Sequence, residues 1–201
     1  MRKIHFMSKR CDWANPKNPK YLEYHDKEWG RPLYDDLALF EMLCLEGAQA
    51  GLSWETILNK RDNYRRAFDG FNPKKIAKYN NTKIKSLLSD EGIVRNKLKV
   101  AAFISNAQAY LEFEKAGESF SQFVWSFVDH KPIINKVKDM KSIQVQTEAS
   151  QKMSKALKDK GFKFVGPTIC YAYMQAVGMV NDHIQTCKYS GKQLKRTKGL
   201  K

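Results

Sequence analysis

The chain lacks the segments from which membrane and secreted proteins are built. No apolar run approaches the roughly 20 residues needed to cross a bilayer, and the opening MRKIHFMSKR has no apolar stretch of the kind a secretory signal carries. Cysteine is scarce, at four in 201 residues. That excludes a disulfide-dense scaffold, and in the expected cytosolic setting the four thiols stay reduced. Internal repeats and low-complexity tracts are missing too, which excludes a repeat architecture. A hydrophobic content of 42% at this length suits one globular core, with room for two lobes.

What the chain has in excess is positive charge. A formal net charge of +15 points toward a polyanionic partner, nucleic acid first and an anionic membrane surface second. The distribution tempers this. Residues 1–10 carry four Lys or Arg and no acid, and residues 188–201 carry six and no acid. Ten of the fifteen charges therefore lie in two basic tails, read as solvated segments that strengthen salt-dependent attraction to phosphates. Residues 11–187 form the expected single helical domain.

Apolar spacing is helical almost throughout, and the expected class is all-α. In DDLALFEMLCLEGAQAG, Leu39, Phe40, Leu43, Cys44 and Gly47 share a face, with Asp35 or Asp36 as N-cap. In the next segment Ser53 caps a stripe of Trp54, Ile57, Leu58, Arg61, Tyr64 and Phe68. Asn72 and Pro73 open a further turn, and NTKIKSLLSD reads as a short helix. The longest pattern, Val94 to Ala116, places Leu98, Ala101, Ala102, Ser105 and Ala109 on one small-residue face, ended by Gly117. SFSQFVWSFV reads as an aromatic core helix. Residues 129–147 show no period and are expected to form a long loop. Helices resume in ASQKMSKALKDK and PTICYAYMQAVG.

Between those last two lies GFKFVG, residues 161–166, which resembles the hairpin of a helix-hairpin-helix. Glycines there let a backbone approach closely, and the free amides at the start of the second helix attract phosphate. The bare pattern equally fits an ordinary tight connection between two packed helices, and Lys160 and Lys163 beside it shift the balance modestly toward a DNA backbone.

Near the end of the chain, NDHIQTC sets His183 and Cys187 four positions apart, so both reach one ion. A closed structural zinc site needs four such ligands. Cys44 and Cys170 sit in apolar helices, where cysteine is usually a small buried hydrophobe; His5 lies in the basic tail and His130 in the loop. Cys11 and His25 are left, and the four would fasten the N-terminal segment to the C-terminal one. A C-x13-H pair followed some 160 residues later by H-x3-C is no finger framework, however. Two inert thiols and two ordinary histidines fit that spacing as well.

Taken in order, CDW, YHDKEWG, CLEGAQAGLSW, FVWSFV, GFKFVGPTICYAYMQAVG and VNDHIQTC resemble the DNA-3-methyladenine glycosylase I family, within the helix-hairpin-helix DNA glycosylase superfamily. The match runs from about Cys11 to Cys187. The resemblance implies a zinc ion held by Cys11, His25, His183 and Cys187 as a clasp between the two ends. It also implies an enzyme of base-excision repair that flips 3-methyladenine out of double-stranded DNA and removes it. Glu46 is then the catalytic, base-contacting residue, with Tyr24, Trp54 and Tyr21 forming the base pocket. Spacing agrees with a special role for Glu46: three, four and seven residues after Leu43, Met42 and Leu39, it falls on the apolar side of its helix, where a charge is costly unless partnered or used. Trp13, Trp29 and Trp125 are assigned to the core.

In AGLSW the resemblance makes Leu52 a wedge for the gap left by the flipped base, with Gly51 allowing close approach. Lys163 and Gly166 of the hairpin are expected to meet the phosphates. Where related glycosylases carry a catalytic aspartate two positions before the histidine, this chain has Asn181, with Asp182 one position away. Hydrolysis by water, without a covalent lysine intermediate, is therefore expected, in a monomeric protein. The alternative is a zinc-stabilised DNA-binding module without catalysis, which leaves Glu46 unexplained.

Overall fold

A computed structural model describes residues 9–190; most of the two basic tails, and His5, lie outside that range. Helix starts are set by short polar side chains. Asn18, Asp35, Ser53, Asn80, Asn96, Ser119 and Thr147 each accept a backbone N–H from the first turn that follows, replacing one of the bonds a helix start lacks. They open α1 (Pro19–Lys27), α2 (Asp36–Gln49), α3 (Trp54–Ala67), α5 (Asn81–Ser89), α6 (Lys97–Ala116), α7 (Phe120–Trp125) and α8 (Glu148–Asp159). Asn72 and Pro73 open α4 (Pro73–Ile76) as expected, and α9 (Pro167–Ala176) starts on Gly166 with Pro167 in its first turn. The first helix, α1, lies in the aromatic segment to which the apolar spacing assigned no element.

The axis of the molecule is α2. Nine of its fourteen residues are buried, as expected of a helix apolar nearly all round, and α3, α6, α7 and α9 pack against it. The stripe of α3 lies as expected, with Trp54, Ile57, Leu58, Tyr64 and Phe68 buried. Trp125 is a core residue, its indole N–H donating to Leu33 O at 2.8 Å.

The expected face of α6 needs correction. Leu98 is 69% exposed and Ala101 is also exposed, while the buried face runs through Lys99, Val100, Ala102, Phe103, Asn106, Ala107, Tyr110 and Phe113. Two polar residues on the inward side, Lys99 and Asn106, disguise it.

Residues 129–147 are mostly loop, but an anchored one. Strand β1 (Ile133–Ile134) pairs in parallel with β2 (Val180–Asn181), and Val137 bridges to Ile184. The two-residue ladder is the small departure from an all-helical chain. It pins the loop beside the C-terminal segment and brings a 3-10 turn, Met140–Ser142, over one end of α2 and α9.

Candidate active site and metal centre

Glu46 lies one turn before the end of α2 and is 2% exposed. Around it Trp13, Tyr21, Tyr24, Trp29, Gln49, Trp54 and Gln175 wall a cleft of about 200 Å³, partly covered by Met140 and Ile143. Trp13 packs on Tyr21 and on Trp29 with centroids 5.1 and 4.9 Å apart, and Tyr24 packs on Trp54 at 5.2 Å. Two buried polar atoms in this cleft have no partner: Oε2 of Glu46 and the indole Nε1 of Trp54. Burial pushes the Glu46 carboxyl up to about 8. Unsatisfied buried groups of that kind cost free energy, and an unpaired carboxyl oxygen and an unpaired indole N–H in one cleft make a site ready for a planar, hydrogen-bonding ligand.

The three expected base-binding residues meet at Glu46, so the structure brings that set together. Trp29 belongs to the core as assigned, and Trp13 packs against it. Trp29 is buried and Trp13 half-buried, but both face the cleft. Gln49, Gln175, Met140 and Ile143 were not foreseen. Gln49 was within reach of pattern reasoning, three residues after Glu46 on the same helix face; the others arrive from distant segments.

Behind the Trp13 and Trp29 wall, Cys11, His25, His183 and Cys187 are all buried, with one ligand atom from each within 4.8 Å of the others. Sγ of Cys11 and of Cys187 each lie 3.5 Å from Nδ1 of His183, and Cys187 Sγ lies 3.7 Å from Nε2 of His25. A tetrahedral ion with Zn–S and Zn–N bonds of ordinary length separates its ligands by roughly 3.3–3.8 Å, so the donor set fits a metal. Each imidazole is oriented from behind. Nδ1 of His25 donates to Asp26 at 2.8 Å, and Nε2 of His183 donates to Trp29 O at 3.1 Å, leaving the other nitrogen of each ring to face the centre. A hydrogen bond from the Cys11 thiol pushes Cys11 up and holds Cys187 down. Arg10, read from the sequence as tail, is bound here: its guanidinium grips Asp26 at 2.8–3.1 Å. Tyr189 likewise packs on both histidine rings.

Two loops singled out in the sequence lie outside the cleft lining. After α2 the chain turns through Gly51, whose φ of +76° is a left-handed conformation that favours glycine, and presents Leu52 at 42% exposure. The GFKFVG hairpin connects α8 to α9, anchored by buried Phe162 and Val165, with Lys163 exposed and Gly166 at the helix start.

Comparison with known proteins closes the question of kinship. The family model described as methyladenine glycosylase matches residues 13–190. The chain belongs to that family. A DNA-3-methyladenine glycosylase of Haemophilus influenzae is 52% identical over 181 residues, covering 90% of this chain and 97% of the relative. A crystal structure of 3-methyladenine DNA glycosylase I is similar with a TM-score of 0.89 at 52% identity, covering 90% of this chain and 100% of that one. A tyrosine-to-phenylalanine variant of 3-methyladenine DNA glycosylase I, solved in complex with 3-methyladenine, is 39% identical with a TM-score of 0.85, covering 89% of this chain and 96% of that one. Among the described residues of this methyladenine glycosylase, no helix is long and apolar enough to cross a membrane.

Proposed function

We propose that the protein flips 3-methyladenine from alkylated double-stranded DNA into the Glu46 cleft and hydrolyses its glycosidic bond. The observation that carries this reading is the pair of unsatisfied buried atoms, Glu46 Oε2 and Trp54 Nε1, inside an aromatic-walled cleft. A plain DNA-binding module gives no reason for a buried carboxyl there; a base bound between aromatic rings does.

The methylated base carries a positive charge within the nucleotide. Aromatic faces favour it over neutral adenine, and its arrival draws the Glu46 carboxyl into the ionised form, whose proton passes to solvent. The charge also weakens the bond to be cut. As the C1′–N bond breaks, its electron pair moves onto the base, which leaves neutral and needs no strong general acid. Water adds to C1′ and releases its proton, while the Glu46 carboxylate stabilises the cationic sugar in the transition state. No lysine lines the cleft among the described residues, which supports hydrolysis without a covalent intermediate. Asp182 is not free to serve as a base: Asn135 Nδ2 donates to one of its oxygens, Tyr171 Oη and Gln175 Nε2 to the other, all at 2.7 Å.

The buried Cys2His2 cluster is assigned to one structural zinc ion held by Cys11, His25, His183 and Cys187. Four protein ligands leave no open position, so zinc supplies cross-linking and no chemistry. Leu52 is the wedge that fills the stack after flipping, with Gly51 making room, and Lys163 and the Gly166 amide engage phosphates. Action as a monomer, in the cytosol where its DNA substrate lies, completes the reading.

The test is chromatography of free bases released from methylated DNA. Release of 3-methyladenine without 7-methylguanine is the expected result; absence of any release by protein that still binds DNA would overturn the catalytic reading.

A further inference from the structure

The buried polar face of α6 has no part in the base cleft or the metal cluster, yet it holds both DNA-facing loops. Lys99 is 6% exposed, and its ammonium donates to the carbonyls of Ala48 and Ala50, each at 2.7 Å. Those carbonyls end α2, immediately before Gly51 and Leu52. A cation at a helix C-terminus is favoured by unpaired carbonyls and by the dipole, but a lysine from another helix is an expensive way to supply one, because its charge must leave water. Burial accordingly lowers its affinity for a proton.

Seven residues on, and so on the same face of α6, Asn106 is 2% exposed. Its side chain makes a reciprocal pair with the hairpin: Oδ1 accepts from the Lys163 amide at 2.7 Å, and Nδ2 donates to the Lys163 carbonyl at 3.2 Å. Gly47 brings the same two loops into contact. A Cβ on it would stand 3.2 Å from Cβ of Phe164 and 3.4 Å from its carbonyl oxygen, so α2 and the hairpin pack there more closely than a side chain would ordinarily allow.

We infer that Lys99 and Asn106 are positioning residues that lock the Leu52 wedge and the GFKFVG hairpin at a set separation, so that wedge and phosphate grip engage one duplex together. The inference rests on the roles given above to Leu52 and the hairpin. It separates DNA engagement from base recognition, because neither residue lines the cleft that holds Glu46.

The experiment compares the parent with Lys99→Met, which keeps the aliphatic stem, and with Asn106→Ala. Two affinities are read for each: one for a duplex bearing a stable abasic-site analogue, and one for free 3-methyladenine. Loss of hydrogen bonds to a charged or buried group predicts duplex affinity down by about tenfold or more in Lys99→Met, with free-base affinity within about twofold of the parent. Asn106→Ala should behave in the same way. Unchanged duplex binding in folded Lys99→Met would overturn the inference, as would an equal loss of both affinities, the mark of a merely structural residue. Base release by the parent is recorded alongside. A parent that binds the duplex but releases nothing would overturn the glycosylase reading and leave this one standing.

Discussion

At the scale of a single residue the proposed chemistry rests on Glu46, and its burial makes pH the probe. In the free protein its carboxyl titrates at about 8, raised from 4.5 by burial, so at neutral pH it is mostly protonated. If the ionised form serves the cationic transition state, kcat/KM rises with pH and levels off above about 8. Glu46→Gln is expected to lose excision by about a hundredfold or more, with the pH limb gone and the fold intact; full activity in that variant would end the assignment. Stability runs the other way. A carboxyl whose folded pKa is raised contributes fully below 4.5 and loses that contribution as pH rises to about 8. Thermal melts should therefore show Glu46→Gln gaining on the parent across that window, by on the order of a few kcal/mol. That Glu46 faces inward was legible from its spacing to Leu39, Met42 and Leu43. The unpaired state of its oxygen was not, because that depends on what several other segments bring or fail to bring.

At the scale of elements, pattern reading succeeded where apolar residues dominate a face and failed where polar residues do. The α2 and α3 stripes and the Asp35, Ser53 and Asn72 caps lay where spacing put them. The α6 register slipped because Lys99 and Asn106, the residues that tie it to two loops, look like solvent positions. The 129–147 loop escaped for a different reason: its order comes from pairing with residues 180–184, which no local period announces. The loop after α2 carries the prediction at this scale. Leu52 stands 42% exposed at the tip, free to meet a duplex. Leu52→Ala should weaken binding to a lesion-bearing duplex by about tenfold while leaving binding of the free base unchanged. Equal duplex affinity in fluorescence titrations would show that the tip does not enter the stack.

At the scale of the molecule, the metal cluster and the base cleft share a wall. Trp13 packs against His25 with centroids 5.0 Å apart, and Trp29 against His183 at 4.6 Å. The cluster that joins the two ends of the domain thus also backs two rings of the cleft wall. Cys187→Ala is expected to abolish bound zinc, read by elemental analysis after dialysis, and to lower the melting temperature by on the order of 10 °C. Affinity for free 3-methyladenine should fall with it, because Trp13 and Trp29 lose their backing. A folded parent without stoichiometric metal would refute the zinc assignment.

Most helix positions, the His183 and Cys187 pair and the inward glutamate could be read along the chain because each rests on local spacing: about 3.6 residues per turn, a polar cap before an apolar run, two ligands four apart. Convergence could not be read in that way. Residues as far apart as Trp13, Glu46, Met140 and Gln175 meet in one cleft, and Cys11 meets Cys187, only after α2 is enclosed by its neighbours. Local physics acts over one or two turns, whereas a cleft is a long-range packing result, and burial there is what leaves an ordinary carboxyl and indole without partners.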